Sequence, residues 1–145
     1  MNAEAPLAVR QAELLAPLLA LRDPQARLAW VIERARQQPR LPETLRREVY
    51  RVAGCLARLW FVPEFRDGRC WFQTDSEAVT LKALVGLLSE VYSGGTAEEI
   101  VRHPPLFLRE LGLFRHLAEN RQATILRVAG QIQAFAEAHR TSVPA

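Results

Sequence analysis

Lysine is nearly missing from this chain: eighteen of its nineteen basic residues are arginine, and Lys82 stands alone. Cysteine is almost as scarce, with only Cys55 and Cys70. Two thiols are too few for a disulfide scaffold and fit a reducing compartment, so a cytoplasmic location is expected. No apolar run approaches the ~20 residues of a membrane span; the longest stretches, Leu14 to Leu21 and Val85 to Leu88, fall well short. Met1 to Pro6 lacks both the basic start and the cleavage site of a signal peptide. His103, His116 and His139 stand singly, without an HExxH pair or spaced cysteine pairs, so no metal site is expected. A glycine-rich phosphate loop and a GxSxG elbow are also missing, and no resident cofactor is expected.

What is present is enough for one globular domain, read here as residues 1–145, with 49% apolar and 24% charged residues. The net charge of +3 lies wholly between Arg40 and Cys70, where seven arginines face four acids; the remainder is neutral. That is sparser than the basic stripe of a nucleic-acid binder, and neither nucleic acid nor membrane is an expected partner.

The apolar spacing predicts a helix over Leu7 to Leu21, kinked or split by Pro17. A second should run from Pro24 to Gln38 behind the Asp23 cap. Leu41 to Val52 reads as a linker with one helical turn at Glu43 to Arg47. From Leu59 the period falls to two, and Asp67-Gly68 is a hairpin turn, since both residues tolerate positive φ. That turn sets Phe65 opposite Cys70 and Trp60 opposite Asp75, with Leu59, Phe61, Phe65, Cys70 and Phe72 on the core face. Asp75-Ser76 should cap a helix carrying Val79, Leu84, Leu87, Leu88 and Val91, stopped by Gly94-Gly95. Thr96 to Glu99 is a capping box. His103-Pro104-Pro105 breaks the chain, and Phe107 to Leu111 makes a short turn. A last helix should begin near Asn120 with Ile125, Leu126, Val128, Ile132 and Phe135 as its apolar stripe. The class is α+β: a small antiparallel sheet of about three strands, built on a hairpin and flanked by helices.

Cys55 follows Gly54, which permits a tight loop, and lies between Arg51 and Arg58. Nearby cations favour the thiolate, the nucleophilic form, although a buried structural cysteine is the commoner outcome. Cys70 falls mid-strand on the apolar face. The hairpin register leaves the two sulfurs too far apart to bond.

The order Arg40-Leu41-Pro42, Val52-Ala53-Gly54-Cys55, Leu59-Trp60, Asp75-Ser76-Glu77-Ala78, Lys82-Ala83-Leu84, Thr96 to Ile100, Leu111-Gly112-Leu113 and His116-Leu117 resembles the SufE/CsdE family of cysteine desulfuration proteins. The resemblance runs over about residues 24–135. It implies a SufE/NifU-like fold and a sulfur acceptor that takes a persulfide on Cys55 from a pyridoxal-phosphate cysteine desulfurase of the SufS/CsdA kind. Such a protein stimulates the desulfurase and passes sulfur to an iron–sulfur assembly scaffold. By the same resemblance Arg121 becomes a candidate neighbour of the cysteine loop, joining Arg51 and Arg58 as possible thiolate stabilisers. Gly54, Leu56, Ala57, Asp75, Lys82 and His116 become candidate partner contacts, with helix capping as the plainer role for Asp75.

The chain departs from the family at the loop, where Leu56 and Ala57 replace polar residues. It departs again at Ala118-Glu119-Asn120 and Ala123-Thr124, where the family has Ser-Pro-Ser and Asn-Gly. Those apolar loop residues suit a sulfur that rests against apolar surface and swings out on docking. A cluster scaffold of the IscU or NifU kind would need about three thiolates, which two distant cysteines cannot supply. The alternative from another class is a non-catalytic interaction module with the same fold.

Overall fold

The computed structural model describes residues 5–140 and carries an α+β fold. In order come α1 (Leu7–Leu19), α2 (Pro24–Arg36), two 3₁₀ turns (Glu43–Leu45 and Glu48–Tyr50), β1 (Leu59–Arg66), β2 (Arg69–Ser76), α3 (Val79–Tyr92), α4 (Ala97–Arg102), α5 (Phe107–Glu110) and α6 (Glu119–Ala138). Among these residues no helix is long and apolar enough to cross a membrane.

The hairpin has the expected register, with Phe65 opposite Cys70 and Trp60 opposite Asp75. Asp67 at φ 54° and Gly68 at φ 76° make the two-residue turn. Only two strands form among the described residues. In place of the expected third strand, single bridges join Arg51 to Trp60 on one edge and Cys70 to Gly95 on the other. The 3₁₀ turn ending at Tyr50 and the glycine turn at Gly54 leave too little extended chain between them for a ladder.

Leu59, Phe61, Cys70 and Phe72 are buried on the core face as expected, but Phe65 is 41% exposed. It sits at the hairpin tip, covered on one side by the His139 ring, 4.6 Å away. The opposite face, expected to meet solvent, is also covered at its base: Trp60 and Val62 pack against Leu41, with Leu45 and Tyr50 alongside. The linker is thus a second small layer over the sheet.

α3 is the central helix, nine of its fourteen residues being buried between β2, α2, α1 and α6. Its start differs from the sequence reading. Ala78 is the N-cap residue, without a side-chain cap bond, and Val79 is exposed. Ser76 Oγ accepts from the Ala78 N–H, while Asp75 turns inward. Asp23 caps α2 as expected, and the Thr96–Glu99 capping box forms. Glu99 also accepts the Leu7 N–H at 2.8 Å, tying the start of α1 to α4. α6 buries Ile125, Val128 and Ile132, with Thr124, Ala129 and Ala136 completing the face; Leu126 points outward.

Candidate functional site: the Cys55 loop

Residues 53–58 form a loop closed at its neck by the Val52 N–H donating to the Leu59 carbonyl at 2.9 Å. Its two ends are held differently. On the outgoing side the Arg58 carbonyl accepts from Ser76 Oγ at 2.8 Å and from the Glu77 N–H at 3.1 Å. On the incoming side the Ala53 carbonyl accepts from Arg127 Nη1 on α6, at 2.5 Å. Gly54 turns the chain between them at φ +80°, a conformation that L side chains rarely adopt.

This geometry splits the loop's side chains. Cys55 is half-buried and packs with Ala57 against the main core. Its thiol approaches the Ala53 carbonyl at 3.9 Å, so that oxygen faces both the sulfur and the Arg127 guanidinium. Leu56 between them is 95% exposed. The sulfur therefore lies against apolar surface while the loop tip offers an apolar side chain to solvent.

The charges fall otherwise than the sequence suggests. Arg51 pairs with Glu48 at 3.3 Å and Arg58 with Glu77 at 2.9 Å, so both flanking arginines are locally balanced. Arg121 is exposed in the first turn of α6, its own N–H donating to the Ala118 carbonyl, and among the described residues no hydrogen bond or ion pair joins it to the loop. Six residues further along, about 9 Å of helix rise, Arg127 makes the contact expected of Arg121. Nothing local in the sequence marks Arg127, because the bond spans 74 positions.

Asp75 is not a surface contact. It is 1% exposed, and its carboxylate accepts from the Leu41 N–H at 3.0 Å, Arg46 Nη2 at 2.6 Å and the Ser76 N–H at 2.8 Å, with Lys82 Nζ at 3.5 Å. Burial pushes this carboxyl up, but the Leu41, Arg46 and Ser76 hydrogen bonds and the Lys82 charge outweigh it and hold the acid below its ordinary range. Arg46 also lies over the Trp60 ring at 4.6 Å. Asp75 thus fastens the linker to the sheet and places Ser76, which in turn holds Arg58. Lys82 is half-buried beside it and lines a cavity of about 420 Å3 between α2, α3 and β2, to which no residue of the Cys55 loop contributes. His116 is exposed in the turn before α6.

Cys70 is fully buried, and burial, with the Glu98 charge second, pushes its thiol up to about 11. At neutral pH it is a protonated core side chain. The two cysteines are unbonded, and among the described residues no three His, Cys, Asp or Glu side chains gather as a metal site.

Comparisons with known proteins bear on the family and the fold. An uncharacterised SufE-like protein of Rhizobium meliloti is 29% identical over 116 residues, which is 77% of this chain and 83% of the relative. The sulfur acceptor protein CsdE of Escherichia coli is 33% identical over 108 residues, 73% of this chain and 71% of CsdE. The chloroplastic quinolinate synthase of Arabidopsis thaliana is 33% identical over 95 residues, only 13% of that protein. The solution structure of a hypothetical protein from Thermus thermophilus shares the fold, with a TM-score of 0.72 at 24% identity, covering 92% of this chain and 97% of that one. The model of the SufE family, an Fe–S metabolism associated domain, matches residues 12–136, and the chain belongs to that family.

Proposed function

We propose that this protein accepts sulfur from a cysteine desulfurase as a persulfide on Cys55, stimulates that enzyme by clearing its sulfur, and delivers the sulfur to iron–sulfur cluster assembly. The observation that carries the proposal is the placement of Cys55: a half-buried thiol on a glycine-turned loop, beside a fully exposed Leu56. Kinship with a protein named as a sulfur acceptor supports the same reading.

In the transfer step the Cys55 thiolate attacks the outer sulfur of the persulfide on the partner's cysteine. A new S–S bond forms at Cys55, the partner's S–S bond breaks, and its thiolate leaves; no electrons are gained or lost overall. Pyridoxal phosphate serves the desulfurase in making its persulfide and has no role on this chain. Leu56 offers the apolar contact that docking around the sulfur would bury.

The test is mass spectrometry of the chain after incubation with a desulfurase and free cysteine. Gain of one sulfur mass on Cys55, lost in Cys55→Ser, is expected. Sulfur on Cys70 instead, or no adduct on either thiol, would defeat the proposal. The non-catalytic module is the second reading, favoured by the balanced charges of Arg51 and Arg58, which leave the thiol without their help. It predicts binding to a desulfurase with no sulfur on Cys55.

A further inference from the structure

Arg127 reaches from the middle of α6 across to the cysteine loop, and it does so at two adjacent residues. Its Nη1 donates to the Ala53 carbonyl at 2.5 Å. Its guanidinium also fills the space over Gly54: a Cβ built there would stand 2.5 Å from Nη1, 3.3 Å from Cζ and 3.5 Å from Nη2. The Cys55 sulfur approaches the same Ala53 oxygen. Among the described residues no carboxylate forms an ion pair with Arg127, whereas Arg51 and Arg58 each have one. The outgoing end of the loop is held by Ser76 and Glu77 through the Arg58 carbonyl. Among the described residues the incoming end has this one side-chain bond, made at the surface and therefore easily exchanged for water.

We infer that Arg127 is a positioning residue which latches the incoming end of the Cys55 loop through the Ala53 carbonyl, holding the thiol against the core and limiting its presentation. The role rests on the sulfur-acceptor reading for its purpose, but not for its test. Glycine at position 54 serves the latch as well as the turn, since a methyl group there would displace the guanidinium. Loss of the bond frees one end of the loop while the neck, the Ser76 anchor and the core stay as they are.

The test uses the full chain without any partner. Iodoacetamide modification of Cys55 is followed against pH to its alkaline plateau, where all of the thiol is ionised and the rate reports access alone. Cys70, fully buried, is the internal control for global opening. Arg127→Met keeps the side chain's bulk without its donors, and Arg127→Lys keeps a donor and the charge. The expected result is a plateau rate about fivefold higher in Arg127→Met, the factor carried by one ordinary net hydrogen bond, with Cys70 unmodified. Arg127→Lys should return the rate towards the parent value. A methionine variant within twofold of the parent overturns the inference. So does a lysine variant no nearer the parent than methionine, or a rise at Cys55 matched by one at Cys70. Failure of sulfur acceptance would instead show as no adduct on the parent chain with a desulfurase, and would leave these rates untouched.

Discussion

At the scale of single residues, two cysteines of one chain are set to opposite behaviour by their surroundings. Cys70 is sealed in the core and its thiol is pushed up to about 11. Cys70→Ala should leave sulfur acceptance intact and cost ~1–2 kcal/mol of packing, read from denaturation midpoints. It should also change the alkaline behaviour. Above its ordinary value of 9.0 the unfolded chain releases this proton while the folded chain keeps it to about 11, so stability falls across that interval as pH rises. The alanine variant should lose that part of the slope. Gly54 offers a second test: at φ +80° an alanine meets left-handed strain of about 1–2 kcal/mol. Gly54→Ala should therefore lower the unfolding midpoint and speed Cys55 alkylation by displacing Arg127.

At the scale of elements, two carboxylates, the buried Asp75 and the half-buried Glu99, splice segments that are distant in sequence. Asp75 joins the linker, the end of β2 and α3; Glu99 caps α4 and receives the Leu7 N–H of α1. Burial raises Glu99, but hydrogen bonds from Thr96 and Leu7 and the Arg10 charge prevail and lower it. Both acids titrate below their unfolded values. Their stabilisation is therefore present above their ordinary values of 3.8 and 4.5 and lost as pH falls through the lower folded values. Asp75→Asn leaves Arg46, its side chain only 11% exposed, facing a neutral partner, and should cost about 3 kcal/mol at neutral pH. The same variant should lose less stability on acidification than the parent, seen by comparing urea midpoints at neutral and acid pH. For α4, Thr96→Ala should cost about 1 kcal/mol, and Glu99→Ala more, since it also frees the Leu7 N–H.

At the scale of the whole molecule, the basic window that counting along the chain suggests is only partly bare, since four of its seven arginines sit against carboxylates. Arg46, Arg51, Arg58 and Arg66 each pair with a carboxylate, whereas Arg40, Arg47 and Arg69 of the same window, and Arg109, Arg115, Arg121 and Arg127 beyond it, make no ion pair among the described residues. Of the unpaired arginines, Arg121 and Arg127 lie on α6, the helix that reaches the Cys55 loop through Arg127. The proposed desulfurase partner is expected to carry an acidic rim that meets such unpaired arginines. Charge reversal at Arg121 should therefore slow association with the enzyme more than reversal at Arg51 or Arg58. Raising salt should shrink the difference, with charges screened over ~8 Å at physiological ionic strength. Stopped-flow association at two salt concentrations measures both effects. Equal slowing by all three reversals would show that ion pairing does not decide which arginines steer.

The hairpin register, the caps of α2 and α4 and the tight loop before Cys55 were legible in the sequence because each depends on neighbours: Asp67-Gly68 sets the turn, Asp23 and Thr96 set helix starts, and Gly54 bends the loop. The face of a side chain was legible only where one layer covers the sheet. Trp60 and Val62 alternate as if towards solvent, yet the linker folds back over them, held by Asp75 and Arg46. Phe65 follows the apolar pattern, yet the hairpin tip outruns the core that would cover it. Only the tertiary structure decided which arginine meets the cysteine loop. Arg121 and Arg127 look alike along the chain, and the rotation of α6 on the core turns the second towards Ala53 and leaves the first in solvent, because helix phase is fixed by which face is buried.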